Sequence, residues 1–286
     1  MMEKQAKISV VISCYNYGQY IKEAVDSAKK STIHDVEIIV VDDGSDDPFT
    51  IEVLDVLRHG GIQVIRQENK GAAGARNTGI KAAQGDYIVC LDADDFIHPR
   101  YMELASKVLD SDPSAGIVTS WYSIFGLLRF VEKPLPYNLY LLSNGNQLHP
   151  ASLFRKTAWQ QVGSYDEKMS GYEDWELWIK IGEAGWGVAQ IPEVLFFQRC
   201  HGGSKFFKRR KKHVELVSHI RKMHQDLYSF KMQTRLFFQW LSDCLRRKEL
   251  HELRIGLGQY LIDFRLRNIV LGYLDKRSRF YLNAKE

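Results

Sequence analysis

Long apolar runs are missing from this 286-residue chain. Nothing approaches the ~18–20 uninterrupted apolar residues that a membrane-spanning helix requires. The nearest runs are Ile8–Ile12 and Val188–Phe197, and the second is broken by Gln190, Pro192 and Glu193. Cysteine is scarce too. Its four copies, Cys14, Cys90, Cys200 and Cys244, form no CxxC pair. That excludes a zinc spacing and a secreted disulfide framework, and predicts small buried hydrophobes. The N-terminal apolar run is too short for the core of a signal peptide and leads into polar Ser13–Asn16 with no small-residue cleavage site, so a cytoplasmic location is expected. Repeats and low-complexity segments are also lacking. What remains is an ordinary globular composition, 45% hydrophobic and 26% charged.

The net charge of +4 hides an asymmetry: residues 203–286 carry +12 and residues 1–202 carry −8. An acidic front part is compatible with a divalent-cation site. A basic tail suits an anionic surface such as lipid headgroups, although a solvated helical face explains the same charge, and no nucleic-acid partner is expected. Lys205, Lys208, Arg209, Arg210, Lys211 and Lys212 surround Phe206 and Phe207, the composition of a peripheral contact with the inner face of a cell membrane.

The first hundred residues alternate β-branched runs, Ile8–Ser13, Val36–Asp42, Ile62–Arg66 and Tyr87–Asp92, with amphipathic stretches over Gly18–Lys30, Phe49–Arg58 and Ala72–Ala83. Near-continuously apolar strands separated by helices predict an α/β fold with a mostly parallel, Rossmann-like sheet covered on both faces. Such sheets bind ligands beyond the carboxyl ends of their strands. Polar clusters stand at those ends here: Ser13–Asn16, Asp42–Ser45 and Asp92–Asp95. A strand over Ala115–Ser123, a loop or lid over Lys133–Gln147 and an apolar segment with a helix over Ala151–Val162 follow. A helix from near Glu173 and strands around Gly187–Ile191 and Leu195–Arg199 complete a domain over residues 1–203. Residues 204–286 form a basic helical extension with two apolar stripes: Val214, Val217, Ile220 and Leu227, then Phe237, Trp240, Leu241, Cys244 and Leu245. Those stripes offer a homodimer contact.

Asp92 and Asp94 end a strand at positions i and i+2, so their carboxylates face together. Two oxygen donors can share one hard cation. Mg²⁺ or Mn²⁺ held this way completes its shell with water and substrate phosphates, a clamp for a nucleotide diphosphate. A solvated turn or helix cap accounts for the same acids. Asp42 and Asp43, before Gly44, can accept hydrogen bonds from a base or ribose, or simply form a capped turn. The segment Asn69–Asn77 adds small residues that let backbone approach a ligand, with a fixed cation, Arg76. It is neither GxGxxG nor GxxxxGK[ST], which weakens dinucleotide and P-loop readings. Glu173 and Asp174, at a helix start, offer a general base whose proton affinity burial and the helix dipole move in opposite senses. They serve equally as caps for the first helical N–H groups. His201 alone reads as a loop hydrogen-bonder.

In chain order, Val11–Gly18, Val40–Ser45, Asn69–Ile80 and Leu91–Asp95 resemble the family-2 glycosyltransferases with the GT-A fold. The likeness continues through Phe154–Lys156, Val162–Glu167, Tyr172–Trp178 and Arg199–Ser204, so that it spans residues 7–204. It implies a metal-dependent, inverting hexosyl- or N-acetylhexosaminyltransferase. Such an enzyme would move a sugar from a nucleotide diphosphate sugar, in the first place a UDP-sugar, to a saccharide or lipid-linked saccharide acceptor in cell-surface polysaccharide synthesis. By the same resemblance Tyr15 lies against the base, Asp43 binds it and Arg76 lines the nucleotide pocket. Asp92 then contacts ribose or sugar, Asp94 holds Mn²⁺ or Mg²⁺ and His201 contacts diphosphate or metal. Asp174, paired with Glu173, is the catalytic base. Apart from the resemblance, Trp159, Trp175, Trp178 and Trp186 are more often core or rim packing, and of these Trp175, beside Asp174, is the one expected to stack on a sugar face. Leu127–Gln147 and Gly163–Gly171 are expected on the acceptor side. Two rivals stand beside this reading: a sugar-nucleotide-forming nucleotidyltransferase, which lacks its basic loop because no Lys or Arg stands between the first strand and Lys22, and a non-catalytic carbohydrate- or nucleotide-binding module.

Overall fold

The computed structural model describes residues 8–202 and 212–247. The chain runs through β1 (Ile8–Cys14), α1 (Gly18–Lys29), β2 (Val36–Asp42), α2 (Pro48–His59), β3 (Gln63–Arg66), α3 (Gly71–Ala82), β4 (Tyr87–Asp92), β5 (Phe96–Ile97) and α4 (Tyr101–Ser111). It continues through β6 (Ala115–Gly126), β7 (Phe130–Glu132), α5 (Leu139–Asn144), β8 (Leu153–Arg155), α6 (Lys156–Val162), α7 (Glu173–Glu183), β9 (Gly187–Cys200), α8 (His213–Met223) and α9 (Phe230–Arg247). The strands form one sheet, ordered β3-β2-β1-β4-β8-β6-β9-β5, with β7 on β6.

The block β3-β2-β1-β4 is parallel throughout. Beyond it the sheet is mixed, since β8 runs antiparallel between β4 and β6, β9 is parallel to β6, and β5 is antiparallel to β9. The mostly parallel expectation therefore holds for the helix-crossover half, whereas β8 is a three-residue strand whose direction no periodicity reveals. The two strands expected near residues 187–199 are one strand, β9. Its pairing with β6 slips where Ile191 is followed by Pro192 and Glu193, because Pro has no N–H to give the ladder.

Successive residues of β1 enter opposite layers. Ile8, Val10, Ile12 and Cys14 join the core under α1, α2 and α4, while Val11 joins Ile39, Val41, Ile88 and Cys90 under α3, α6 and α7. All four cysteines are buried, as expected of small hydrophobes. The segment read as a lid, Lys133–Gln147, differs: it contains α5, with Tyr140, Leu141 and Leu142 buried. Its contacts come from far away in sequence. Phe237, Trp240 and Cys244 of α9 close over Tyr140 and Leu141, and Leu216, Ile220 and Leu227 enter the second core layer. Ile220 and Leu227 of the first stripe, and Phe237, Trp240 and Cys244 of the second, are thus buried against the chain's own core, which takes these side chains out of a homodimer contact, whereas Val214 of the first stripe lies exposed. Of the basic-aromatic tail segment, Lys212 is exposed, and Lys205–Lys211 lie outside the described residues.

Candidate active site

Strand register brings the carboxyl ends of β1, β2 and β4 level. Ser13 stands opposite Asp92 on β4, and Cys14 opposite Asp42 on β2. From β1 the chain steps outward to β2 and β3, then returns to β4 on the other side, so the crevice above β1 and β4 is a topological switch point. A cavity of about 300 Å³ opens there, walled by Tyr15, Asp43, Asn69, Gly71, Ala72, Asp92, Asp94, Asp95 and Arg199 among others.

Asp43 is held in place by two hydrogen bonds. Its Oδ1 accepts from Gln67 Nε2 at 2.7 Å and Lys70 N at 2.9 Å, which orients a buried carboxylate on the cavity wall. Its neighbour Asp42 does not reach the cavity. Ser45 N donates to its Oδ1 and Arg66 Nη1 to its Oδ2, both at 2.9 Å, so Asp42 secures the turn rather than a ligand. Asn16, in the left-handed region at φ 56°, ties the loops after β1 and β2 together: its Oδ1 accepts from Asp46 N and Asp47 N, and its Nδ2 donates to Asp46 Oδ1. That brace fixes the loop bearing the exposed, cavity-facing Tyr15. Gly71, at φ +75°, opens α3 at the cavity floor with open space where a Cβ would stand.

Asp92, Asp94 and Asp95 each offer a carboxylate oxygen, all within 4.8 Å of one another. Asp95, absent from the sequence-based set, completes this group; its Oδ1 also accepts from Arg199 N at 2.8 Å. His201 Nε2 donates to Asp94 Oδ2 at 3.1 Å, with its ring against Tyr17 and Tyr20. Burial and the Asp92 charge push the Asp94 carboxyl above the usual range, against the hydrogen bond from His201. A crowded set of hard oxygen donors that repel one another fits a divalent cation, and Asp92, Asp94 and Asp95 would hold it.

Arg76 lies behind the cavity rather than on its wall. It is buried, with Nη2 on Asp92 Oδ1 at 2.8 Å and Nη1 on Glu173 Oε1 at 2.9 Å. Glu173 is therefore a partner of Arg76, and the pair joins the end of β4 to the start of α7. Asp174, the next residue, is buried; its Oδ2 accepts from Asn146 Nδ2 at 3.1 Å. Tyr172, at φ 60°, sets the sharp entry into α7 that presents both acids. Asn77, buried inside the Asn69–Ile80 motif, pins the loop after α6: Nδ2 donates to Tyr165 O and Glu167 Oε1 at 3.0 Å, and Oδ1 accepts from Tyr165 N at 2.9 Å. Trp175 is no sugar platform. Its ring is buried and its Nε1 donates to Leu142 O at 2.7 Å. Asn146 is the residue that sequence reasoning misses, since it lies 28 positions from its partner with no periodic element to place it.

Residues 9–168 match the model of Glycosyl transferase family 2. The chain is 28% identical over 225 residues to the chondroitin synthase of Escherichia coli, covering 77% of this chain and 32% of that protein. It spans 22–35% of the length of the first curated relatives that it matches. Solved structures share its fold. S. aureus TarS 1-349 in complex with UDP-GlcNAc superposes with a TM-score of 0.67 at 18% identity, over 92% of this chain and 74% of that one. The mannosyltransferase PcManGT from Pyrobaculum calidifontis, in complex with GDP-Man and Mn²⁺, gives 0.59 at 18% identity, over 99% and 89%. The α/β architecture expected for a GT-A enzyme is thus the architecture present. The family model reaches from β1 past both acidic strand ends to the loop that Asn77 pins, more than half of the chain, and the protein belongs to Glycosyl transferase family 2.

Proposed function

We propose that this protein is a metal-dependent, inverting glycosyltransferase that transfers a sugar from a nucleotide diphosphate sugar, UDP-linked in the first instance, to a saccharide or lipid-linked saccharide in cell-surface polysaccharide synthesis. The observation that carries the reading is the acidic trio Asp92, Asp94 and Asp95 on the wall of a switch-point cavity that also holds the oriented Asp43. Relatives named as chondroitin and hyaluronan synthases, and a structure holding UDP-GlcNAc, support the donor and pathway class.

In this reading Asp43 accepts from the N–H of the base, with Gln67 and the Lys70 amide keeping its carboxylate turned inward, and Tyr15 covers the base. A bound Mn²⁺ or Mg²⁺ would supply positive charge to the departing diphosphate. Asp174 takes the proton of the acceptor hydroxyl while its oxygen bonds to the anomeric carbon. The bond from that carbon to the diphosphate oxygen breaks on the opposite face, which inverts the centre. Asn146 donates to Asp174 Oδ2 and orients its carboxylate. Arg76 keeps Asp92 and Glu173 in place without touching substrate.

The test begins with thermal shifts by UDP and GDP, with and without Mn²⁺, since a ligand that binds only the folded state must stabilise it. Wild type should be stabilised by a nucleotide in a Mn²⁺-dependent way and Asp94→Asn should not. Asp174→Asn should keep that shift and lose roughly 10²–10⁴-fold in transfer. Transfer by Asp174→Asn at the wild-type rate would remove the base assignment, and an Asp94→Asn variant that still responds to nucleotide and Mn²⁺ would remove the cation site.

A further inference from the structure

Residues 126–133, the turn and second strand of the β6–β7 hairpin, are exposed without interruption and read Gly-Leu-Leu-Arg-Phe-Val-Glu-Lys. Four of these eight are large apolar side chains, with Leu127 at 66%, Val131 at 47%, Phe130 at 40% and Leu128 at 37% exposure. Contiguous apolar exposure on this scale marks a contact surface rather than chance. The hairpin is also built firmly. Leu127 N donates to Cys200 O at 2.8 Å, and Tyr122, Ser123 and Ile124 pair with Glu132, Val131 and Phe130. Ile124 and Leu128 belong to the cavity wall, so this apolar tip stands at the rim of the donor cavity.

Charge identifies the occupant. Arg129 sits among the apolar residues, and Lys133, at the stem beside the exposed Glu132, holds its Nζ 4.5 Å from the centre of the Trp121 ring, so the segment carries two cations to one acid. Two residues on, Leu135 packs into the cluster of Tyr140, Phe237 and Trp240, which ties the stem to the inner face of α9. The outer face of α9 presents Lys231, Arg235 and Arg246 around the exposed Phe238, and its one acid there, Asp243, is paired with Arg246. Apolar side chains interleaved with cations are the pattern of an element that seats at an anionic lipid interface. A second copy of this chain is a poorer match. Five residues cover far less than the roughly 800 Å² per partner of a stable protein interface, and like charges would face each other.

We propose that the β6–β7 hairpin tip, Leu127–Val131, inserts into an anionic lipid surface and thereby turns the mouth of the donor cavity towards the membrane. This deepens the transferase reading, in which a lipid-linked acceptor would arrive from that side. The binding itself can be measured without turnover, so failure of one does not entail failure of the other.

The experiment is flotation of the full chain with phosphatidylcholine vesicles, pure or with about 30% phosphatidylglycerol, at low and moderate salt. Wild type should float with the anionic vesicles, and less as salt rises. The variant carrying Leu127→Ser, Phe130→Ser and Val131→Ser should partition at least about tenfold more weakly, because the buried apolar area supplies the insertion. It should keep the wild-type melting temperature, since these side chains are exposed. A Phe130→Cys variant labelled with an environment-sensitive dye reads the location directly: its emission should shift to the blue on anionic vesicles. No flotation by wild type, flotation undiminished in the triple variant, or an unshifted dye on bound protein would each overturn the proposal. Concentration-dependent mass without vesicles, abolished in the triple variant, would assign the tip to a second copy instead and likewise overturn it.

Discussion

Arg76 carries a full positive charge into the interior, where it bridges two carboxylates from segments 97 and 16 residues away. Burial opposes that charge, but Asp92 and then Glu173 outweigh it and hold the guanidinium protonated. A buried pair of this kind adds little net stability, yet removing one partner strands the others. Arg76→Met should therefore lose about 3–5 kcal/mol in urea unfolding, because both Asp92 and Glu173 are left without their cation. Glu173→Gln should lose less, since the amide oxygen still accepts from Nη1. The consequence for function is separable. With Asp92 no longer clamped, Arg76→Met should also weaken the Mn²⁺-dependent stabilisation by nucleotide, whereas Glu173→Gln should retain most of it.

At the scale of elements, α3 shows why the small residues of the Asn69–Ile80 motif matter. A Cβ built on Gly79 would lie 2.3 Å from Val11 Cγ1 and 3.1 Å from Val41 Cγ2, so the helix rests directly on β1 and β2. A mid-helix Gly→Ala change normally gains about 1 kcal/mol. Here the clash should reverse the sign: Gly79→Ala is expected to cost about 1–3 kcal/mol net, and adding Val11→Ala should recover part of that loss. Chemical denaturation of Gly79→Ala, Val11→Ala and the double variant checks it, and a stabilised Gly79→Ala would show that α3 can lift without penalty. The same motif marks the limit of what the sequence discloses. Apolar runs ending in Asp42 and Asp92 are visible by composition, and register then brings those ends level, because adjacent parallel strands of similar length begin and end together. Arg76 is visible as a cation but not as a buried bridge, since its partner on α7 is far away in sequence. Asn146 and α5 are hidden for a related reason: a six-residue helix has too few turns to show a period, and what buries it is α9, about a hundred residues later. Trp175 misleads in the other direction, because an indole beside an acid looks like a platform until Leu142 O claims its N–H.

The whole molecule is closed by a charge cluster that couples the C-terminal helices to the helix bearing the proposed base. His224, just after α8, is buried, with Nδ1 2.5 Å from Glu183 Oε2 and Nε2 3.5 Å from Glu176 Oε1, both acids on α7. Lys180 Nζ lies 3.2 Å from Glu176 as well. Burial alone would lower the His224 pKa, but Glu176 and Glu183 overcome it and raise it to about 9. An unfolded histidine titrates near 6.5, so the folded chain binds the proton more tightly. The stabilisation is then fully present below about pH 6.5 and is lost as pH climbs through about 9. Deprotonation leaves Glu176 and Glu183 facing a neutral ring, and α8 loses its hold on α7. Wild type should accordingly be about 1–3 kcal/mol more stable than His224→Asn at pH 6, with the difference shrinking progressively towards pH 9.5. Urea unfolding of both proteins across that range measures it. A gap that stays constant with pH would mean that His224 contributes packing alone. A gap that closes would show that the proton on His224 holds α8 to α7 and so supports the position of Asp174 at the other end of that helix.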